Sequence, residues 1–310
     1  MKEGQRKSLE RIGYRFVGPS RHSAIKTCEW TRNSLRGKGT CYKQKFYGIE
    51  SHRCMQLSVG VECCNHRCVF CWRDTDITLP KWTGRADDPK DILDSALESH
   101  RGILQGFGGN SKTDKKMFSE SLSPMQVAVS LAGEPTLYPK LPQMVDEIRK
   151  RGMTAFVVSN GTNPEMIKSL LKHQPTNLYI TLPAPDAKTY EKTCRPLIKD
   201  GWKRIMKSLA LLKEFECNTV LRLTLVRNLN FSDPAGYAKI IKKYQPMFVE
   251  VKAFMSVGFS RKRLPYTDMP LHPEIRKFAE EIARESGYEI ADEKPGSRVV
   301  LLKRVQCIFF

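Results

Sequence analysis

Apolar and polar residues alternate in short blocks along most of the chain, and these blocks predict strands and helices in turn. Apolar runs bounded by turn residues predict strands at LSVGVE (57–62), QVAVSLA (126–132), TAFVVS (154–159), NLYITL (177–182), NTVLRLTLV (218–226) and MFVEVKAFMSVG (247–258). Segments with apolar residues at helical spacing predict helices at 89–104, 141–152, 165–173, 201–215, 234–244 and 272–287. Strands that alternate with helices indicate βαβ units around a parallel sheet.

About six such units predict an α/β fold, a partial (β/α)6 barrel of the TIM type rather than a closed eight-fold barrel. This core spans 57–290. Residues 1–56 are weakly periodic and predict an irregular N-terminal extension, and 291–310 predict a C-terminal strand or tail packed on the barrel. In such folds the chemistry lies at the C-terminal ends of the strands. The loops CCNHRCVFC, GEPTLYP, SNGTNP and TLPAPD follow the first four strands, so they are the places to search.

Composition narrows the class of protein. The 310 residues are 40% hydrophobic, which is ordinary for a globular chain. No run approaches the roughly 18 apolar residues of a membrane span, and the N-terminus lacks the apolar core of a signal peptide, which predicts a cytoplasmic protein without a membrane segment. The net charge of +19 suits a polyanionic partner such as nucleic acid, although a generally basic surface would also explain it.

Ten cysteines are many for a chain expected in a reducing compartment, and seven fall between positions 28 and 71. Metal ligation is the better interpretation, because disulfide frameworks belong to small secreted domains. Cys64, Cys68 and Cys71 form C-x3-C-x2-C. Three thiolates can hold three irons of a [4Fe–4S] cluster and leave one iron open for a ligand, whereas structural zinc sites usually take a fourth protein ligand. Cys63 is interpreted as a bystander, because adjacent side chains leave a strand end in opposite directions.

Cys28, Cys41 and Cys54 form a second set, with 12 residues in each gap. The three could hold a second cluster with one open iron, or their regular spacing could be chance.

The C-x3-C-x2-C motif after the first strand, with Phe70 before its last cysteine, resembles the radical SAM superfamily. This resemblance implies that Cys64, Cys68 and Cys71 hold a cluster that binds S-adenosyl-L-methionine (SAM). Its Gly-Gly-Glu stretch, which binds the methionine amino group, matches Ala132, Gly133 and Glu134, with alanine for the first glycine. By the same resemblance further residues contact SAM or line its pocket, although some of them could be ordinary barrel residues: Ser159, Asn160, Thr181, Leu225 and Lys252.

The two cysteine sets, CNHRCVFCWRDT and LAGEPTLYP together resemble the tRNA 4-demethylwyosine synthase family, over nearly the whole chain. The chain has no room for the flavodoxin-like domain of eukaryotic members, so it resembles the short archaeal form. The resemblance implies a lyase that condenses N1-methylguanosine, next to the anticodon of tRNA-Phe, with two carbons of pyruvate. It also implies two [4Fe–4S] clusters, the second on Cys28, Cys41 and Cys54 with pyruvate at its open iron, and an external electron donor. We expect a monomer.

Lys43 lies two residues after Cys41, where it could reach a ligand of that second cluster. The resemblance implies that a lysine assists the reaction by forming a Schiff base with pyruvate. Alternatively, Lys43 is solvated or binds phosphate, as expected for its neighbours Lys38 and Lys45.

Basic clusters are candidates for tRNA contacts. Arg261, Lys262 and Arg263 follow the last predicted strand, so they would lie nearest the site. Lys203, Arg204 and Lys207 lie on a predicted helix and could equally form a solvated outer face.

Two other functions stay open at this stage. One is a different radical SAM tRNA-modifying enzyme, although the upstream cysteine set argues against it. The other is a non-enzymatic, zinc-stabilised RNA-binding protein, which would explain the charge and the cysteines but not the loop around Glu134.

Overall fold

Residues 1–305 are described by a computed structural model, and they form two compact units. The first unit comprises Met1–Cys64, Ile77–Val158 and Lys172–Thr176. The second comprises Asn65–Asp76, Ser159–Leu171 and the residues from Asn177 onward. The end of the predicted C-terminal tail, 306–310, lies outside the described residues.

In the first unit, two antiparallel strands precede three parallel strands. Its elements are α1 (Glu3–Arg11), β1 (Arg15–Val17), β2 (Ser23–Lys26), α2 (Glu29–Leu35), α3 (Tyr42–Tyr47), β3 (Cys54–Ser58), α4 (Pro89–Gly108), α5 (Lys115–Ser121), β4 (Gln126–Val129), α6 (Leu141–Lys150) and β5 (Thr154–Ser159). The strand order is β1-β2-β3-β4-β5, antiparallel up to β3 and parallel from β3 to β5.

The second unit continues the alternation and ends in an antiparallel hairpin. Its elements are α7 (Pro164–Ser169), β6 (Asn177–Thr181), α8 (Ala187–Cys194), α9 (Gly201–Ala210), β7 (Asn218–Leu225), α10 (Pro234–Tyr244), β8 (Phe248–Ala253), α11 (His272–Ser286), β9 (Tyr288–Lys294) and β10 (Val299–Arg304). Strands β6, β7 and β8 are parallel, and β10 pairs antiparallel with both β8 and β9.

Within residues 1–305 each unit thus contains three parallel strands, β3–β5 and β6–β8. They agree in number with the six predicted from the sequence, and all except the first also agree in place. Most predicted helices are also found. The start of α4 follows its predicted signal, since the Asp88 carboxylate caps the helix by accepting a hydrogen bond of 3.0 Å from the Lys90 backbone N–H.

The prediction of an irregular N-terminal segment is wrong. Residues 1–53 contain α1, α2, α3, β1 and β2. These helices are only six to nine residues long. A helix this short shows little apolar periodicity and depends on tertiary contacts for its stability, so the sequence pattern does not reveal it.

The first predicted strand is displaced. It runs over Cys54–Ser58 rather than 57–62, and the chain then turns, with the Cys63 N–H donating to the Gly60 carbonyl at 3.2 Å. Val59 and Val61 are buried in that turn, so their apolar side chains indicate burial and not a strand.

Among residues 1–305, no helix combines the length and the apolar character that crossing a bilayer requires.

Candidate active site

Cys28, Cys41 and Cys54 come together in the first unit, although 12 residues separate each from the next. Cys28 and Cys41 are the N-cap residues of α2 and α3, and Cys54 begins β3. Burial, reinforced by the nearby Cys28 and Cys41 thiols, raises the pKa of the Cys54 thiol to about 12. Burial and then Cys41 likewise raise the pKa of Cys28. The three thiols therefore lie within electrostatic reach of one another.

Ser51 holds the three cysteine-bearing segments in this arrangement. Its Oγ accepts a hydrogen bond of 2.9 Å from the Cys41 N–H and donates one of 2.8 Å to Gln44 Oε1. The Thr31 hydroxyl, on the helix that follows Cys28, donates to the Ser51 carbonyl at 3.0 Å. Since Ser51 precedes Cys54 by three residues, one buried serine joins all three segments.

Lys43 is distinguished from the lysines beside it. Its Nζ lies 4.9 Å from the centroid of the Phe156 ring, and it is only partly exposed, whereas Lys38 and Lys45 are exposed. The charge of Lys43 also acts on Cys28 and Cys54, where it opposes the rise in their pKa values. The structure thus brings Lys43 to the second cysteine set, whereas Lys38 and Lys45 are exposed.

The predicted SAM-binding stretch packs on the turn that leads into the first cysteine motif. The Glu134 N–H donates to the Cys63 carbonyl at 2.6 Å, and the Ser58 hydroxyl donates to the Ala132 carbonyl at 2.6 Å. Gly133 has φ +80°, and an added Cβ would overlap the Gly60 carbonyl oxygen. Glycine is required here both for this backbone conformation and for the close approach of the two chains.

Glu134 is a buried carboxylate in this stretch. It is only 4% exposed, and its Oε1 accepts hydrogen bonds from the Thr136 N–H at 3.0 Å and the Thr136 hydroxyl at 2.6 Å. Thr136 fixes the orientation of a carboxylate that would bind an ammonium group well.

In the second unit, Arg263 binds the end of the first cysteine motif. Its guanidinium donates to the backbone carbonyls of Val69 at 3.1 Å, Arg73 at 3.2 Å and Cys71. The Phe259 N–H adds a hydrogen bond of 2.9 Å to the Trp72 carbonyl. Arg263 therefore has a structural role at this loop, beyond the tRNA contact that its position in the sequence suggested.

Asn160 also has a local role. Its Nδ2 donates to Asn65 Oδ1 at 2.8 Å, and its Oδ1 accepts from the Thr162 hydroxyl at 2.7 Å, so it anchors the cysteine loop at Asn65 within the second unit. The Asn65 Nδ2 completes the network by donating to the Thr162 hydroxyl at 2.7 Å. Ser159 is buried and accepts from the Gly161 N–H at 2.9 Å.

Sequence reasoning missed the side chains that surround Cys68. One ligand atom from each of His66, Cys68 and Cys194 lies within 4.8 Å of the others. The Cys194 thiol is the main cause of a strong rise in the pKa of Cys68, and burial adds to it. His66 Nε2 contacts the Tyr190 hydroxyl at 2.7 Å. Tyr190 lies 124 positions away along the chain, and no sequence signal marks this partnership.

The other predicted pocket residues divide between two faces of the second unit's sheet. Arg222 and Glu250 form an ion pair of 2.8 Å on one face. Thr181 lies opposite Arg222 in register, and Lys252 is two residues after Glu250, so both share that face. Lys252 Nζ donates to the Ser297 carbonyl at 2.5 Å. Leu225 lies on the opposite face and is fully buried, so the structure does not bring it together with Thr181 and Lys252.

The predicted tRNA-binding residues differ in exposure. Arg261 and Lys262 are exposed, and Lys262 Nζ lies 5.1 Å from the centroid of the Phe259 ring. On α9, Lys203 and Lys207 are exposed, whereas Arg204 forms an ion pair of 3.0 Å with Asp200.

The donor sets suit iron–sulfur ligation, because each of the two predicted sets supplies three cysteine thiols. Gly133, whose backbone closely approaches the Gly60 carbonyl, and the oriented Glu134 carboxylate lie next to Cys63. Cys63 directly precedes Cys64, the first cysteine of the first motif.

The chain is similar to known proteins over most of its length. The model for the radical SAM superfamily matches residues 59–241, and the model described as wyosine base formation matches residues 243–304. An S-adenosyl-L-methionine-dependent tRNA 4-demethylwyosine synthase of Pyrococcus abyssi is 47% identical over 295 residues, which cover 94% of this chain and 86% of that protein.

Solved structures agree as well. A structure described as TYW1 with a lysine–pyruvate adduct bound is 37% identical, covers 98% of this chain and 96% of its own, and superposes with a TM-score of 0.87. A crystal structure of archaeal TYW1 is 33% identical with the same coverage and a TM-score of 0.79. The predicted radical SAM fold is confirmed.

Proposed function

Because the chain belongs to the tRNA 4-demethylwyosine synthase family of the radical SAM superfamily, we propose that it condenses N1-methylguanosine in tRNA-Phe with two carbons of pyruvate. The product is 4-demethylwyosine, and the loss of the pyruvate carboxylate carbon makes the enzyme a lyase. The single observation that carries this proposal is the position of Lys43, which is partly buried on Phe156 and within electrostatic reach of Cys28 and Cys54.

The first cysteine motif would hold one [4Fe–4S] cluster through Cys64, Cys68 and Cys71. With SAM bound, such a cluster would supply the radical chemistry needed to remove a hydrogen atom from the N1-methyl group of the base. The chain's own contribution is to bind and orient. Glu134, oriented by Thr136, would pair with the methionine ammonium group of SAM. The other residues that we assign to the SAM pocket are Ala132, Gly133, Ser159, Asn160, Thr181 and Lys252.

The second set, Cys28, Cys41 and Cys54, would hold a second [4Fe–4S] cluster at which pyruvate binds. Lys43 Nζ would attack the carbonyl carbon of pyruvate, and loss of water would give an imine that fixes the substrate for carbon–carbon bond formation. The solved structure of TYW1 with a lysine–pyruvate adduct supports this step, since it is 37% identical to this chain and covers 98% of it.

The tRNA would bind through phosphate contacts, to which the net charge of +19 is suited. Arg261 and Lys262 are our first candidates because both are exposed. An external donor would supply electrons, and the protein would act in the cytoplasm as a monomer.

Trapping the imine tests the role of Lys43. Protein reconstituted without oxygen is mixed with carbon-14 pyruvate and borohydride, and the protein-bound label is counted. Wild type and Lys45→Arg should retain label, and Lys43→Arg should retain none. Equal labelling of the two variants would exclude Lys43 as the attacking amine.

Iron counting tests the second cluster. The wild type should bind about eight irons per chain, and a triple variant with Cys28, Cys41 and Cys54 changed to alanine about four. A wild type that saturates at about four irons would contradict a second cluster.

A further inference from the structure

A cavity of about 580 Å³ opens in the second unit beside the first cysteine motif. Its walls come from three segments, which contain Arg67 and Asp76, then Glu191 and Arg195, then Phe259 and Lys262. The volume lies in the range of small-ligand sites, which runs from about 300 to 1,000 Å³.

Backbone hydrogen bonds fix these walls relative to one another. The Arg67 N–H donates to the Cys194 carbonyl at 2.9 Å, and the Val69 N–H donates to the Thr193 carbonyl at 3.0 Å. The Phe259 N–H donates to the Trp72 carbonyl at 2.9 Å. The cavity is therefore built on the cysteine loop itself, and a ligand there would lie close to Cys68 and Cys71.

The charges on the walls are of both signs and are not paired with each other. In the part of the chain that the structure describes, Arg67, Arg195 and Glu191 make no side-chain hydrogen bond or ion pair, and all three are exposed. A matching ligand should carry an anion for the guanidinium groups and hydrogen-bond donors for the carboxylates, since Asp74, Asp76 and Glu191 all line the cavity.

An aromatic ring adds a third element of recognition. Phe259 is half-buried in the wall, and Lys262 Nζ lies 5.1 Å from its centroid. An aromatic ring beside cations is the combination with which proteins bind unpaired nucleotides, whose bases stack while their phosphates bind the cations.

We propose that this cavity holds one unpaired nucleotide that flanks the target base in the RNA. Its base stacks on Phe259, and its phosphate binds Arg67 and Arg195. The Glu191 carboxylate accepts from an amino or imino group of the base. This inference rests on the proposed function, since it takes tRNA as the substrate, and it adds a site that reads the RNA around the target.

The test uses the reconstituted full-length protein and an anticodon stem-loop RNA with the fluorescent base 2-aminopurine placed in turn on each side of the target. One labelled position should be quenched by stacking when the wild type binds. Phe259→Leu, which keeps the apolar volume, should abolish that quenching and weaken RNA binding about tenfold. Arg195→Gln should weaken binding several-fold without removing the quenching.

Lys277→Gln, at an exposed position of α11 outside the predicted tRNA-binding residues, is the matched charge control for Arg195→Gln. Iron content and the thermal midpoint show whether each variant is folded. If neither Phe259→Leu nor Arg195→Gln changes RNA affinity beyond the change in Lys277→Gln, the inference is wrong. Displacement of the RNA by free AMP at micromolar concentration would also contradict it, because the site would then bind a mononucleotide rather than RNA.

Product formation separates this inference from the proposed function. If the tRNA gives no pyruvate-dependent product but Phe259→Leu still loses quenching, the proposed reaction is contradicted and the nucleotide site in the cavity is supported. If product forms and Phe259→Leu binds RNA as the wild type does, the proposed reaction is supported and the nucleotide site is contradicted.

Discussion

Arg263 Nη2 donates a hydrogen bond to the carbonyl oxygen of Cys71, a residue that lies 192 positions earlier in the chain. The same guanidinium also binds the carbonyls of Val69 and Arg73. Because arginine presents several donors in one plane, it can hold three carbonyls of a loop at once, which a lysine ammonium cannot do in the same geometry. The last turn of the first cysteine motif thus depends on a side chain from the opposite end of the sequence.

We predict that Arg263→Lys weakens iron retention at the first cysteine motif. Each lost hydrogen bond from a charged donor contributes about 1.5–3 kcal/mol, so release of iron to a chelator should be at least tenfold faster. Arg261→Lys is the matched control, since Arg261 is exposed and its Nε donates to the Ser256 carbonyl at 2.9 Å, outside the cysteine motif. Release at the wild-type rate in Arg263→Lys would show that the loop does not need this side chain.

Ser51→Ala should impair the second cysteine set. The substitution removes the hydroxyl that joins Cys41 to Gln44, and it leaves the Cys41 N–H without its partner at a cost of about 1–3 kcal/mol. The variant should lose up to about four irons per chain while it keeps those of the first motif. Ser121→Ala is the control, because Ser121 is also buried and donates to the Phe118 carbonyl at 2.7 Å. Full iron content in Ser51→Ala would argue against its role.

Gly133→Ala should abolish SAM binding. The new methyl group would overlap the Gly60 carbonyl oxygen, and the positive φ would strain any other residue. We expect at least a hundredfold weaker affinity for SAM in equilibrium binding. Gly109→Ala, where φ is −84° and a methyl group would meet nothing, should bind SAM as the wild type does. Near-normal affinity in Gly133→Ala would mean that the stretch does not contact SAM.

His100 should make stability depend on pH. Burial lowers the pKa of this histidine below its ordinary value of 6.5, and its ring nitrogen contacts the Ser121 carbonyl at 3.0 Å. As the pH falls below about 6.5, the unfolded chain takes up a proton that the folded chain does not, so the free energy of unfolding decreases, by at most about 1.4 kcal/mol per pH unit. Urea unfolding between pH 7.5 and 5.5 should show a smaller decrease for His100→Gln. Parallel curves for the two proteins would contradict this account.

The strands and the cysteine motifs could be predicted from the sequence because they depend on local information. Apolar runs mark β5 and β6 nearly to the residue, and three cysteines in eight positions mark the first motif without any structure. The convergence of Cys28, Cys41 and Cys54 depends instead on hydrogen bonds to Ser51, which leave no periodic signal.

Long-range partners explain the rest of what the sequence did not reveal. Arg263 lies in a basic run, which predicts a contact with tRNA phosphate. Its role in the fold is determined instead by a hydrogen bond to the carbonyl of Cys71, 192 positions earlier in the chain. Tyr190 and Cys194 approach His66 and Cys68 from α8, and neither has a motif of its own. The place of Leu225 at a strand end predicts a position in the SAM pocket. At a strand end, however, a shift of one residue decides which face of the sheet a side chain occupies.

The central claim, that two carbons of pyruvate enter a methylated guanosine of tRNA, is tested most directly by isotope labelling. Reconstituted protein is mixed without oxygen with SAM, a reductant, tRNA carrying N1-methylguanosine, and pyruvate labelled with carbon-13 at the carbonyl and methyl carbons. The nucleosides are then analysed by mass spectrometry. We predict a new tricyclic nucleoside that contains both labelled carbons. A product without the label, or cleavage of SAM with no new nucleoside at all, would contradict the claim.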